Sequence, residues 1–193
     1  MPKFCYNDET HTYTLDGKVL PNVTDILDSA GIVDKRWFTP ESAWRGKCVH
    51  KACKLLDQGK LDWDTVDPAI AGYVRSWQAF KQQTGFKVKV CERPAYHEFW
   101  KYAGTVDRIG TMNNSMVLID IKTGPVATWV RLQTAAYAHL HESMGLLPRY
   151  GLELRNSPFG QMRYKLTGPW LDPGDMGTFT SCLAVHNWKQ RNT

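Results

Sequence analysis

Near the amino terminus, apolar residues alternate with polar ones. Phe4, Tyr6, Tyr13, Leu15, Val19 and Leu20 carry the alternation and Leu15-Asp16-Gly17-Lys18 supplies a turn, so residues 3–20 are expected to form a small β-hairpin or meander. Pro21-Asn22-Val23-Thr24 leads into a short helix through about Ala30, which Gly31 ends. The period then lengthens. Val49, Cys53 and Leu56 recur at helical spacing between Pro40 and about Asp57, and Gln58-Gly59-Lys60 ends that helix. Ile70, Tyr73, Trp77 and Phe80 form the apolar stripe of a second helix from about Val66 to Thr84, a stripe that reads as core. A strand is expected over Lys87 to Pro94, then a hairpin between Tyr102 and Lys122, then a helix from Thr128 to about Met144. Pro148 opens a strand through Leu154, and Gln161 to Leu166 pairs with it across a Pro-Phe-Gly turn. A last helix runs from about Pro173 to Lys189, with Met176, Phe179 and Leu183 facing inward. This order predicts an α/β fold, with a mixed β-sheet flanked by helices and a small N-terminal β-hairpin.

One strand breaks its own pattern. Val117 to Ile121 would be wholly apolar on an ordinary two-sided strand, but a carboxylate interrupts it at Asp120 and an ammonium follows at Lys122. Period-two alternation puts Asp120 and Lys122 on one face. The Thr111-Met-Asn-Asn-Ser115 link folds the chain back, so Asp107 on the partner strand can bring its carboxylate to that face. Gln133 and Tyr137 lie one turn apart on the following helix. Such residues are poor choices for a core. They suit metal-dependent phosphodiester cleavage, in which carboxylates hold a hard divalent cation and a lysine adds positive charge beside a dianionic transition state. The ordinary alternative for Asp120 and Lys122 alone is a salt-bridged pair on a solvated sheet face.

A chain of 193 residues is long enough for one domain with a substantial core. The net charge of +5 permits nucleic-acid binding without requiring it. Eight tryptophans could include base-stacking faces, although core packing accounts for most tryptophans. Five cysteines without a CxxC pair, and no signal peptide, point to a reducing, cytoplasmic setting. No iron–sulfur cluster is expected, because the tail after residue 145 carries only Cys182. No apolar run approaches the roughly 18 residues of a membrane helix, and no Gly-rich phosphate loop is present.

Gly-Thr-Val-Asp107-Arg, Ile-Asp120-Ile-Lys122-Thr-Gly and Gln133-Thr-Ala-Ala-Tyr137 together resemble the PD-(D/E)XK nuclease superfamily, in particular its RecB-like branch with a Q-x-x-x-Y helix. Arg45-Gly46-Lys47-Cys48-Val49-His50 fits that branch's upstream glycine and histidine, the glycine leaving a gap beside the imidazole. Tyr6 to Leu27, with His11-Thr-Tyr13, Asp16-Gly17 and Pro21-Asn-Val-Thr24-Asp-Ile-Leu27, resembles small phage-type and mitochondrial single-strand exonucleases of the branch. The likeness extends to about residue 140. It implies His50, Asp107, Asp120 and the Ile121 backbone carbonyl as ligands of one or two Mg²⁺ or Mn²⁺ ions. Lys122 would be the catalytic lysine, with Gln133 and Tyr137 orienting it or contacting the DNA backbone. An aspartate at position 120 departs from the glutamate frequent there and has a shorter reach. Glu92 is a further candidate of lower rank, because a strand-end glutamate beside Arg93 is commonly an ion pair.

The resulting expectation is a single nuclease domain over 1–193, with a hairpin and helix over 1–38 and the helical segment and catalytic core over 39–193. It would hydrolyse DNA from free ends of single strands, in a bacterial or phage-infected cell and alongside replication or recombination partners. A structure-specific endonuclease on the same core and a catalytically idle nucleic-acid-binding module remain the alternatives. Lys35, Arg36, Trp37, Trp44, Arg45, Trp129 and Arg131 lie next to the motifs and are the expected DNA contacts. A histidine ligand suits Mn²⁺ better than Mg²⁺, so activity is expected to be higher in Mn²⁺.

Overall fold

The computed structural model describes residues 2–36, 38–141, 147–157 and 163–192. Two sheets organise them. A three-stranded antiparallel sheet of β1 (Phe4–Asn7), β2 (Thr12–Leu15) and β3 (Lys18–Leu20) precedes a five-stranded mixed sheet. The larger sheet holds β4 (Lys87–Tyr96), β5 (Ala103–Met112), β6 (Ser115–Lys122), β7 (Arg149–Leu154) and β8 (Tyr164–Trp170), in that spatial order. Among the described strands of this sheet, β6 and β7 alone pair in parallel, and helix α4 (Val130–Leu140) makes the crossover that a parallel pair needs. Helices α1 (Val23–Ser29), α2 (Pro40–Asp57), α3 (Pro68–Thr84) and α5 (Gly174–Asn192) cover the faces. The expected fold class, an α/β mixed sheet flanked by helices with a small N-terminal β unit, is what the chain forms.

Local chemistry explains the element ends. Asn113 and Asn114 both sit at positive φ (51° and 61°), as a two-residue hairpin turn between Met112 and Ser115 requires. Thr39 and Ser42 form a reciprocal capping box at the start of α2, with Pro40 at its first position. Gly85 ends α3 in the left-handed region.

The core divides at the large sheet. Val117, Ile119 and Ile121 of β6 pack with α2 and α3 through Val49, Cys53, Trp77 and Phe80. Leu118 points the other way, into a cluster with α1, α4 and α5. The strand is therefore apolar on both faces, as a covered sheet demands, and the even positions of β6 face α4. The small sheet leans on β5: Ala103 packs with Tyr13, Leu15 and Leu20, and the Tyr13 hydroxyl lies 2.9 Å from Thr105 Oγ1.

Several boundaries differ from expectation. Strand β4 runs past Pro94 to Tyr96, and β8 spans Tyr164–Trp170, through Pro169, where a strand ending at Leu166 was expected. Both are edge strands, where a missing N–H costs no ladder bond. Helix α3 starts at Pro68 behind the Asp67 cap, after a 3₁₀ turn over Trp63–Thr65. Helix α4 starts at Val130, and α5 extends to Asn192. The carboxy-terminal residues of the helix expected to Met144, the Pro158-Phe159-Gly160 turn and Trp37 lie outside the described residues. No helix among the described residues is long and apolar enough to cross a membrane.

Candidate metal centre

The centre forms where β5 and β6 part. Their ladder ends at the Arg108–Ile119 pair. Beyond it the Ile121 N–H is taken by the Asp107 carboxylate, which accepts through Oδ2 at 2.7 Å. Asp120, next along β6, is 1% exposed and turns toward α4. Its Oδ2 lies 2.6 Å from Lys122 Nζ, at an angle that leaves the oxygen without an aligned hydrogen bond. Lys122 Nζ donates to Gln133 Oε1 at 3.1 Å, and Gln133 Nε2 donates to the Tyr137 hydroxyl at 3.0 Å. One chain of contacts thus runs from β6 into α4 through four residues that the sequence singles out.

Helix α2 crosses above this end of the sheet and lowers His50 onto it. His50 Nδ1 is 3.2 Å from Glu92 Oε1 and 3.6 Å from Asp107 Oδ1, while Nε2 is 3.1 Å from the Ile121 carbonyl oxygen. Carbonyl and carboxylate oxygens only accept, so both ring nitrogens carry hydrogen and the ring is an imidazolium. Burial pulls the His50 pKa down, but Asp107 and Glu92 outweigh it and raise it to about 9. Burial raises the Asp107 carboxyl well above the usual carboxylate range; His50 opposes this, and the charges of Asp120 and Glu92 add to it. An Asp107 carboxyl pushed up by burial, beside a buried Asp120 oxygen with no aligned donor, makes a site that a cation would relieve.

Among the described residues, His50, Glu92 and Asp107 are the group that could hold a metal ion, with ligand atoms all within 4.8 Å of one another. Asp107 and His50 were expected there. Glu92 was ranked below them as a strand-end ion-pair residue beside Arg93. It is instead mid-strand in β4, and Cys91–Arg108 and Arg93–Val106 pairing sets it opposite Asp107. Its φ of 45° is a left-handed conformation, uncommon for a side-chain-bearing residue inside a strand and typical of positions held for function. Its partner is Arg108, not Arg93.

Arg108, fully buried, organises the layer beneath. It donates to Glu92 Oε1, Asp57 Oδ2 and the Asp107 carbonyl, each at 2.7 Å, and its guanidinium lies 5.6 Å from the centre of the Trp77 ring. Asp57 also accepts from Trp77 Nε1 at 2.9 Å and from Lys81 at 2.6 Å. This network fixes Glu92, which in turn fixes the imidazole. Sequence reasoning missed Arg108 and Asp57. The sequence carried little signal for them: Asp57 closes a helix already rich in charged residues, and Arg108 follows Asp107 directly.

The centre forms the floor of a cleft of about 950 Å³, with α2 on one side and Tyr6, His11 and Tyr13 of the small sheet on the other. A Cβ at Gly46 would meet only Thr123 Oγ1 at 4.0 Å, so the gap that this glycine leaves opens toward the end of β6 and not beside the imidazole. Gly104 is the contrary case: a Cβ there would stand 2.6 Å from Tyr137 Cε1.

Of the expected DNA contacts, Lys35, Arg36, Trp44, Arg45, Trp129 and Arg131 do not line this cleft. Lys35 pairs with Asp28 at 2.5 Å, Arg36 with Asp34 at 2.6 Å and Arg131 with Asp175 at 3.1 Å. Trp129 is buried and lies under Lys122, whose Nζ is 5.6 Å from the ring centre, so it positions the lysine. Arg45 stacks toward Tyr73 at 5.9 Å. Trp44 is 49% exposed on α2. No protein-family model matches the chain, and no curated protein matches it either.

Proposed function

We propose that this chain is a divalent-metal-dependent deoxyribonuclease of the PD-(D/E)XK type, acting from free ends of single-stranded DNA. The observation that carries the reading is the meeting of His50, Glu92, Asp107, Asp120 and Lys122 at one end of the β5–β6 hairpin, on the floor of an open cleft. His50 Nε2 and the Ile121 carbonyl oxygen are 3.1 Å apart, close to the roughly 3 Å between adjacent ligands on one octahedral ion with bonds of about 2.1 Å. Asp107 and Asp120 would complete that set, while Glu92, on the opposite ring nitrogen Nδ1, would orient the imidazole. Mn²⁺ and Mg²⁺ are the ions proposed, since oxygen donors dominate and one imidazole favours Mn²⁺. When bound, such an ion supplies charge neutralisation at the phosphate and a more acidic water.

The chain's own residues do the rest. Lys122 sits with its ammonium against Asp120, on the bed of Trp129, and is aimed by Gln133. It places positive charge beside the scissile phosphate and holds the attacking water. Gln133 and Tyr137 keep the lysine in one rotamer. Arg108 and Asp57, out of reach of substrate, hold Glu92 and through it His50.

The test of end-directed action uses 5′-labelled and 3′-labelled single-stranded oligonucleotides and a single-stranded circle, each with Mn²⁺, Mg²⁺ or EDTA. Metal-dependent loss of the linear strands with an intact circle supports the reading. A cut circle assigns the same centre to an endonuclease. Linear strands left intact in both metals overturn it.

A further inference from the structure

Helix α2 brings more than His50 to the cleft. Lys47, Lys51 and Lys54, with Gln58 beyond them, all line it. At 100° per residue these positions fall within an arc of about 60°, and Trp44 extends the stripe to about 80° one turn earlier. The three ammonium groups occupy about 10 Å of helix, at 1.5 Å per residue. None of the three has a carboxylate partner among the described residues, whereas Lys35, Arg36 and Arg131 each have one. Lysines three and four apart on one helix face repel one another modestly, and here nothing local offsets that. The facing wall is different in kind: Tyr6 stacks on Tyr13 with ring centres 4.8 Å apart, and His11 lies beside it. Its carboxylates are engaged, Asp8 by the Tyr6 hydroxyl at 3.0 Å and Asp25 by Asn22 Nδ2 at 2.6 Å.

We infer that the Lys47–Lys51–Lys54 row is the track on which the phosphate backbone of a single DNA strand lies as it enters the centre, with Trp44 stacking a base at the outer end. The inference rests on the nuclease reading and adds the path and polarity of charge that the substrate follows. A cationic row and an aromatic wall line the same open cleft. That arrangement matches a chain with phosphates on one edge and bases on the other. His50 lies within the span of the row, one turn from Lys47 and one turn from Lys54, so a strand seated on it carries a phosphate past the centre.

The test is fluorescence anisotropy of a labelled oligothymidylate with the full chain in Ca²⁺, across a salt series. It compares wild type, a variant with Lys47→Gln, Lys51→Gln and Lys54→Gln, and a variant with the same charge loss at the exposed Lys18, Lys87 and Lys165. Cleavage by each is measured in Mn²⁺, and thermal melts establish that each is folded. The row variant is expected to bind at least about tenfold more weakly, with the slope of log affinity against log salt reduced by about 2, since each phosphate contact on a single strand contributes about 0.7. The remote variant should keep both. If wild type binds and cleaves while the row variant keeps its affinity and slope, or if both variants lose equally, the track is wrong and the nuclease reading stands. If wild type neither binds nor cleaves, the nuclease reading fails and the track fails with it.

Discussion

Gly104→Ala probes how the catalytic lysine is aimed without touching it. The added methyl carbon would stand 2.6 Å from Tyr137 Cε1, 3.1 Å from Cδ1 and 3.2 Å from Val23 Cγ2. Ordinary carbon contacts are about 3.5–4.0 Å, so the ring must retreat by roughly 1 Å. The ring cannot do so freely, because Tyr137 is 8% exposed and packed with α1 and β5. Overpacking of this kind costs about 1–3 kcal/mol, which for a chain of this size lowers the melting temperature by roughly 2–12 °C. The displacement passes to Gln133, whose Nε2 bonds the Tyr137 hydroxyl at 3.0 Å, and from there to Lys122 at 3.1 Å. A misplacement near 1 Å at a reacting group can cost about a hundredfold in rate, so a loss of roughly tenfold to a hundredfold in kcat is expected. Thermal melts and single-turnover cleavage of an end-labelled strand in Mn²⁺ measure the two effects. Adding Tyr137→Leu should recover the melting temperature, because the ring is gone, but not the rate. A Gly104→Ala variant with wild-type melting and wild-type rate would refute the contact and the relay together.

Three further outcomes follow from the same geometry. Arg108→Met leaves Asp57 and Glu92 buried without their shared cation, and differential scanning calorimetry should show a loss of about 3–5 kcal/mol; a change below about 1 kcal/mol would contradict the network. In EDTA, the raised His50 pKa gives stability that is complete below about 6.5 and is lost as pH rises to about 9. Melting temperatures should therefore fall across that window by the equivalent of at most about 3 kcal/mol, and His50→Gln should flatten the fall. Divalent metal should raise the melting temperature, Mn²⁺ more than Mg²⁺ at equal concentration, by about 2.7 kcal/mol at a hundredfold excess over Kd; His50→Ala should erase the difference between the two ions.

The sequence disclosed the fold through period and turn chemistry, and disclosed the centre through interruptions of those periods. Asp120 stood out because it breaks an apolar run, and Asn113-Asn114 announced the hairpin that brings Asp107 beside it. Strand ends were misplaced at Pro94 and at Leu166; both strands run on through a proline, which edge position allows, and edge position is a property of the sheet. Glu92 was undervalued because its neighbour in sequence, Arg93, hid its neighbour in space, Arg108. Trp129 and Arg131 were assigned to DNA on proximity to the motifs, yet one supports Lys122 and the other joins an ion pair with Asp175. The lysine row of α2 was legible as spacing. What spacing alone omits is which helix face overlooks the cleft.

The most direct measurement is cleavage of an end-labelled single strand in Mn²⁺ and in EDTA by wild type, Asp120→Ala and Lys122→Ala, all shown folded by their melts. The account predicts cleavage by wild type in Mn²⁺ only, and none by either variant. Equal cleavage by all three proteins, or no cleavage by wild type in Mn²⁺, would contradict it.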